Sequence, residues 1–401
     1  MSKLEELIAR LCPDGVEYKA IGEIANISRG KVMSKDYLRD NIGEYPVYSS
    51  QTENDGKLGS ISTYMVDGNY LTWTTDGANA GTVFFRSGKF SITNVCGLID
   101  VTDKNVLIKY LYYALFKEAH NHVNAGMGNP KLMSNVMSQI KVPVPPLEVQ
   151  REIVHILDSF TFLTAELAVE LAARQKQYEF YRDALLTFKN IDDTISNERT
   201  NEMELSGVVR WMKLGDIGPV CMCKRILKSE TNSQSGVPFY KIGTFGKEAD
   251  AYISHEKFSE YKAKYNFPKK GDVLISAAGT IGRTVIYDGK PAYFQDSNIV
   301  WIDNDETQVT NAFLKYYYSM KPWKSSDGGT ISRLYNDDIR KTPVPVPPLS
   351  EQQRIVDILD RFDALCNDIT SGLPAEIEAR KKQYEYYRDK LLTFKELKKE
   401  A

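Results

Sequence analysis

The sequence predicts an α+β protein: two α/β domains separated by two long helices, packed as an antiparallel coiled coil in a pseudo-two-fold tandem duplication. Three observations predict it. Pro145-Pro146-Leu147, Gln150, Ile153-Val154, Ile156-Leu157-Asp158 and Phe160 return as Pro347-Pro348-Leu349, Gln352, Ile355-Val356, Ile358-Leu359-Asp360 and Phe362, a constant offset of 202. Farther on, Arg174, Lys176-Gln177-Tyr178-Glu179, Tyr181-Arg182-Asp183 and Leu185-Leu186-Thr187-Phe188 return as Arg380, Lys382-Gln383-Tyr384-Glu385, Tyr387-Arg388-Asp389 and Leu391-Leu392-Thr393-Phe394, offset by 206. Within the first block pair, Ile153, Leu157, Phe160, Thr164, Leu167, Leu171, Arg174, Tyr178, Tyr181, Leu185 and Phe188 keep the alternating 4,3 spacing of one helix seam.

The elements follow in order. Residues 1–144 form the first globular domain, 145–190 a helical connector, 191–346 a second globular domain and 347–401 a second connector. The domains repeat more faintly than the connectors: Ile21-Gly22-Glu23-Ile24 answers Leu214-Gly215-Asp216-Ile217, Pro46-x-Tyr48 answers Pro238-x-Tyr240, and Gly77 with Thr82-Val83 answers Gly279 with Thr284-Val285. Alternating runs over Ile61-Ser62-Thr63-Tyr64, Thr82-Val83-Phe84-Phe85, Val273-Leu274-Ile275 and Asn298-Ile299-Val300-Trp301-Ile302 predict strands. The stretches from Asn105 to Leu115 and from Asn311 to Tyr318 predict one amphipathic helix in each domain. The proline pairs stop what precedes them, so each connector helix starts just after its pair. An unbroken first connector would reach roughly 60 Å. The second holds four extra residues around Ser371-Gly372-Leu373-Pro374, a helix break and restart. Two copies of one unit associate most simply about a local two-fold, which makes the connectors antiparallel and sets the domains at opposite ends of a rod.

Composition narrows the class. The chain has 401 residues and a net charge of -2, without an apolar window of the ~18 residues that a membrane span requires. It begins MSKLEELIARLCPDG, with neither a basic n-region nor an apolar h-region, which points to the cytoplasm. Cys12, Cys96, Cys221, Cys223 and Cys366 show no disulfide-framework spacing, and Cys221-x-Cys223 has no second pair to complete a zinc site. Basic and acidic residues nearly balance within each domain, so nucleic-acid binding must rest on local clusters.

Catalytic signatures are missing. No G-x-x-x-x-G-K-[ST] loop and no G-x-S-x-G elbow occur. Nor is there a Gly-rich methyl-donor fingerprint, and Asn129-Pro130-Lys131 lacks the second proline and the aromatic of an adenine-methyltransferase clamp. His120-x-His122 does not share a helix face and reads as two exposed histidines near a helix end. The acid-rich stretches Asp192-Asp193 and Asp303-x-Asp305-Glu306 read as solvated linkers and turns. Composition alone leaves the function open, and one non-catalytic reading is a coiled-coil scaffold whose end domains bind protein or carbohydrate. An enzyme would need paired catalytic residues at equivalent positions of both copies, and none recur.

The blocks PPLEVQREIVHILDSF with RQKQYEFYRDALLTF, and PPLSEQQRIVDILDRF with SGLPAEIEARKKQYEYYRDKLLTF, closely resemble the specificity (S) subunit of type I restriction-modification enzymes. The resemblance extends over the whole chain in layout. It implies that the globular domains are target recognition domains, each reading one half of a split, asymmetric sequence of double-stranded DNA. The helices would set their separation and bind two methylation subunits. S-adenosylmethionine is then expected on those partners, and ATP and Mg on restriction subunits, with no cofactor or metal on this chain. Thr164-Ala165-Glu166-Leu167 followed by Ala168-Val169-Glu170-Leu171 resembles the tetrapeptide spacer of one branch of the family. Four helical residues add about 6 Å, close to two base-pair steps of ~3.4 Å. Leu167 and Leu171 are also seam residues, and the two roles are compatible.

Candidate DNA contacts cluster in loops. Arg29-Gly30-Lys31 with Lys35, and Lys224-Arg225, follow an early strand in each copy. Ser49, Ser50, Gln51, Asn54 and Lys57 carry donors and acceptors suited to base edges, and Lys241, Thr244 and Lys247 lie at the equivalent place in the second copy. The loop Gly279-Thr280-Ile281-Gly282-Arg283 offers backbone amides, Thr280 and Arg283 to a phosphate. So does Gly328-Gly329-Thr330-Ile331-Ser332-Arg333, whose first-copy counterpart runs from Gly126 to Lys131. Each of these can also be read as an ordinary polar surface loop. On the connectors, Tyr178 and Tyr384 fall on the seam, while the recurring Gln150, Arg182, Gln352 and Arg388 are candidates for subunit contact.

Overall fold

The computed structural model describes residues 3–188, 209–323 and 333–397. Two compact units divide the chain: Met1–Ala168 with Glu376–Ala401, and Val169–Ala375. Both cuts fall inside helices, because each unit combines a globular domain with part of each connector.

Unit 1 begins α1 (Lys3–Leu11), β1 (Glu17–Ala20), α2 (Ile21–Ile24), β2 (Ala25–Arg29), α3 (Lys35–Asp40), β3 (Ile42–Tyr48) and β4 (Lys57–Ile61). It continues β5 (Val66–Thr74), β6 (Val83–Ile92), β7 (Cys96–Val101), α4 (Ile108–Glu118), α5 (Ser134–Gln139), β8 (Lys141–Val144) and the start of α6 (Leu147–Thr187). Six strands form one sheet in the order β2-β7-β5-β6-β3-β4, antiparallel except for the β3/β6 pair. β1 and β8 make a separate antiparallel ribbon. The strand expected through Tyr64 stops at Ile61, where its partner β3 begins at Ile42, and the Ser62 N–H makes one last bond to Asn41 O at 3.0 Å. Trp73 anchors the core, with its Nε1 donating to Leu132 O at 3.0 Å. The indole lies so close to β7 that a Cβ on Gly97 would sit 2.1 Å from the ring, which only glycine avoids.

Unit 2 holds the end of α6, then β9 (Arg210–Lys213), α7 (Leu214–Ile217), β10 (Val220–Cys221), β11 (Val237–Tyr240), β12 (Tyr252–Ile253) and α8 (His255–Lys264). β13 (Val273–Ser276), β14 (Thr284–Ile286), β15 (Tyr293–Phe294), β16 (Ile299–Ile302), α9 (Asn311–Ser319), α10 (Asn336–Lys341), β17 (Pro343–Val346) and α11 (Leu349–Asn367) follow. Its sheets run β10-β16-β13-β14 and β12-β11-β15, with a β17-β9 ribbon. The parallel pair Tyr240/Phe294 mirrors Tyr48/Ile92 of unit 1. One strand, β6, pairs with both β5 and β3 in unit 1, whereas unit 2 splits the corresponding stretch into β14 and β15. Unit 2 also inserts α8, whose Phe258 packs with Phe239, Tyr293 and Trp301 in a core of its own.

The connector helices behave as their periodicity dictates. α6 starts immediately after Pro145-Pro146 and runs 41 residues without interruption. In unit 1 its first turns bury Val149, Ile153 and Leu157 beside Leu392, while Phe160 farther along stacks on Tyr387 at 5.4 Å. Ascending residues of α6 thus meet descending residues of α12 (Leu373–Leu391), an antiparallel pairing. Unit 2 repeats it. Leu186 joins the core with Ile355 and Leu359 of α11, and Tyr178 and Tyr181 contact Phe362 at 6.4 and 5.7 Å. Burying a leucine such as Leu186 or Leu392 stabilises each junction by roughly 2 kcal/mol. Tyr178 and Tyr384 lie in these seams as their spacing predicts, and burial pushes both phenols up to about 12.

The break between α11 and α12 has a local cause. Asp368 accepts from Thr370 N at 2.7 Å and from the Thr370 and Ser371 hydroxyls at 2.6 and 2.5 Å. These bonds hold its carboxyl down at about 2. A Cβ on Gly372 would lie 2.5 Å from Ala364 O, so the turn admits no side chain there. Among the described residues, no helix is long and apolar enough to cross a membrane, and no His/Cys/Asp/Glu group is placed to hold a metal ion.

Candidate nucleic-acid interface

In unit 1 the candidate loops meet at one end of the sheet. β2 ends at Arg29, and the chain then passes so close to the turn after β6 that a Cβ on Gly30 would lie 1.9 Å from Ile92 O. Glycine here brings Arg29 and Lys31 beside that turn, where Lys31 N donates to Ile92 O at 3.3 Å. The loop after β3 closes onto the same place. Ser49 Oγ accepts from Thr93 Oγ1 at 3.1 Å, and Ser50 Oγ donates to Asp76 O at 2.8 Å. Asp76 pairs by backbone with Lys131, and its carboxylate lies 3.6 Å from both Arg29 Nη2 and Lys131 Nζ. Those separations are too long for hydrogen bonds, and Arg29 Nε and Nη2 have no hydrogen-bond partner among the described residues. Two cations therefore share one carboxylate without being saturated by it.

Other first-copy candidates stand apart from this cluster. Lys35 is exposed at the start of α3, and Lys57 begins β4. Asn54 is exposed at a left-handed φ of 50°. Gln51 Nε2 donates across its own loop to Lys57 O at 2.6 Å, so that amide is already engaged.

Unit 2 gathers its loops at the corresponding end. Arg333 pairs by backbone with Ala278 as Lys131 does with Asp76, and its Nη2 donates to Ser297 O at 3.0 Å. Alanine thus stands where unit 1 carries the shared carboxylate. The neighbouring loop at 328–332 lies outside the described residues. Lys224 and Lys247 are exposed, Arg225 Nε bonds Asp296 at 3.0 Å, and Lys241 pairs with Asp250 at 2.8 Å. The 279–283 loop corrects an expectation. Its Ile281, Gly282 and Arg283 N–H groups are bonded within the turn, and Arg283 Nη1 donates to Phe245 O at 2.9 Å. Gly279 and Thr280 remain exposed there. Thr244 also serves its turn, accepting from Lys241 N at 3.1 Å.

The subunit-contact candidates need a second correction. Gln150 and Gln352 are fully buried. Gln150 Oε1 accepts from Leu107 N at 2.8 Å, and its Nε2 donates to Asn105 O and Pro145 O, each at 2.7 Å. Gln352 repeats the set with Thr310 N, Gln308 O and Pro347 O, each at 2.8 Å. Each glutamine fastens its connector to the segment that starts α4 or α9, and no atom is left for a partner. Arg182 and Arg388 lie mostly buried against Tyr178 and Tyr384 and pair with Asp183 and Asp389.

Several residues of these clusters were not singled out by their sequence context. Asp76, Thr93 and Asp296 act through long-range contacts and carry no local signal. Arg86, which holds the loop after β3, does carry one: in a strand, Phe84 and Arg86 share a face, and an arginine on an aromatic inward face needs a partner.

Comparisons with known proteins bear on the family. The family model described as type I restriction modification DNA specificity domain matches twice, at residues 13–173 and 209–379. A protein of Haemophilus influenzae named as a type I restriction enzyme specificity subunit is 46% identical over 94% of this chain and 96% of its own length. The EcoR124I/EcoR124II specificity subunit of Escherichia coli is 33% identical over 98% and 97%. Among solved structures, a chain from a study of type I system assembly and conformational transition matches with a TM-score of 0.62 at 18% identity, covering 95% of this chain and 98% of that one. The S subunit of a type I restriction-modification system from M. genitalium matches with a TM-score of 0.54 at 15% identity, covering 94% and 96%. These two likenesses are of fold. The double family match and the relatives identical over nearly their whole length show that this chain belongs to the DNA specificity subunits of type I restriction-modification systems.

Proposed function

We propose that unit 1 and unit 2 each read one half of a bipartite, asymmetric double-stranded DNA target, and that the connector helices set the gap and dock two methylation subunits. The observation that carries this reading is the repeated convergence of loops. In each unit the strand-end loops meet around one parallel strand pair and present basic side chains, Arg29, Lys31 and Lys131 in one, Lys224, Arg225 and Arg333 in the other. Such loops suit phosphate positioning plus base-edge contact, and their number matches a two-part site.

The helices support the docking part. Phe180 in unit 2 and Tyr386 in unit 1 occupy equivalent positions and are 68% and 62% exposed, while the adjacent Tyr181 and Tyr387 stack in the seams. An exposed aromatic kept in both copies is suited to meeting the same partner twice. In this reading the chain is the non-catalytic part of an adenine methyltransferase and endonuclease complex. S-adenosylmethionine belongs to the methylation subunits, and ATP with Mg to restriction subunits. The test is to co-express the chain with its neighbouring methylation subunit in a methylation-free bacterium and map modified adenines across the genome. A split, asymmetric motif with a fixed gap is the expected result. Soluble, associated proteins that mark no motif would remove this reading in favour of a scaffold.

A further inference from the structure

We propose that Arg86 is a positioning residue for unit 1, holding the loop between β3 and β4 in the shape that presents it to DNA. The proposal rests on the reading of unit 1 as a half-site reader. Arg86 does not reach the protein surface, since its side chain is 3% exposed. Its guanidinium carbon lies 3.7 Å from the Tyr48 ring centroid and 4.3 Å from that of Phe84, a cation between two aromatic rings. Tyr48 in turn packs on Phe90, so the column is anchored in the sheet.

What this fixed plate holds is a loop tip. Arg86 Nη1 donates to the Asp55 carboxylate, and Nη2 donates to Asp55 O at 2.6 Å. Asp55 itself is 72% exposed, so the pair joins a buried cation to a surface residue. Asn54 and Asp55 both adopt left-handed backbone, φ 50° and 54°, which disfavours most side chains and which Asn and Asp adopt as single residues in turns. The base of the turn is closed by Lys57 N donating to Asn54 O, Ser49 N to Gly56 O at 3.1 Å and Gln51 Nε2 to Lys57 O at 2.6 Å, and the two bonds from Arg86 tie its tip at Asp55 to the sheet. The plate also fits tightly under Gly56, where a Cβ would come within 3.1 Å of Nη2. A side chain serving the core alone has no need to reach an exposed aspartate.

Unit 2 solves the same problem with different atoms. There Arg283 Nη1 bonds Phe245 O at 2.9 Å and so braces the loop that follows β11, the strand corresponding to β3. In both units an arginine, from within β6 in one and from the loop just before β14 in the other, grips the main chain of the loop after the strand that makes the parallel pair. The loop's exposed tip at Asn54 is thereby presented in one shape at little entropic cost on binding.

The experiment uses the full chain co-expressed with its methylation subunit and maps modified adenines for wild type, Arg86→Gln, Arg86→Lys and Asp55→Ala. Asp55→Ala removes the surface end of the contact and leaves the core column in place, so it decides the matter even where Arg86→Gln does not fold. The half read by unit 1 is the half that survives exchange of residues 191–346. Asp55→Ala and Arg86→Gln are expected to lower discrimination about tenfold at one or more positions of that half, with the other half and the gap unchanged. Arg86→Lys keeps the charge but cannot make both bonds at once, and is expected to fall between. An Asp55→Ala chain that reads both halves as sharply as wild type, or that loses both equally, overturns the proposal. A wild-type chain that marks no motif fails the functional reading itself, a result distinct from either.

Discussion

The two ends of each unit kept the duplication to different degrees. At the helical end, Gln150 and Gln352 repeat three hydrogen bonds atom for atom, and Leu186 and Leu392 fill corresponding places in two cores. At the loop end only the job recurs. An arginine braces the loop after the parallel strand in both units, but it grips Asp55 in one and Phe245 in the other. Asp76 between Arg29 and Lys131 has alanine as its counterpart. A helix junction has one good geometry, so duplication preserves it; a reading loop gains its use by differing from its twin.

The comparison can be broken first at the glutamines. Gln150→Ala leaves one buried N–H and two carbonyls unsatisfied, and is expected to destabilise the fold by about 3 kcal/mol in denaturant titration. Gln352→Ala should cost the same to within about 1 kcal/mol, because its partners are the same; a silent variant at either site would separate the two junctions. A second Thr-Ala-Glu-Leu inserted after Leu167 should lengthen the gap of the mapped motif by about two base pairs while both halves stay the same. An unchanged gap would show that α6 is no ruler.

Smaller effects sharpen the loop end. Arg333 faces no carboxylate at 278, whereas Lys131 shares Asp76 with Arg29. Arg333→Ala in the assembled complex is therefore expected to weaken binding of its target about tenfold and Lys131→Ala about threefold, both losses shrinking as salt rises. Equal losses would mean that Asp76 does not hold its cations back. The smallest effect belongs to the turn between α11 and α12. Asp368 is held at about 2, below its ordinary value near 4, so its contribution is complete above about pH 4 and is lost as pH falls through about 2. Asp368→Asn should flatten that acid limb in a melting-temperature series by lowering the neutral-pH value slightly toward the acid one, which it leaves in place.

The helical end was legible because its information is local. The 4,3 seam, the proline pairs and Ser371-Gly372-Leu373-Pro374 each act on the backbone where they stand, and α6, α11 and α12 follow them. Recurrence also singled out Gln150 and Gln352, yet a glutamine in the first turn of a helix reads as a surface residue. Its burial exists only once the start of α4 or α9 folds onto it. At the loop end, the basic run Arg29-Gly30-Lys31 after an early strand made that corner readable, while the close approach of Gly30 to Ile92 O shows only in three dimensions. Arg283 and Thr244 looked free because their acceptors and donors lie in loops that the chain brings together only in three dimensions. Asp76 and Asp55 were silent for the same reason, each joined to an arginine tens of residues away.

The central claim is that each unit reads its own half of the target. Its most direct measurement is to exchange residues 191–346 for the corresponding domain of another family member, co-express the hybrid with the methylation subunit and map the modified adenines. One half of the motif should change while the other half and the gap persist. A hybrid in which both halves change, or neither does, would contradict the division of reading between the two units.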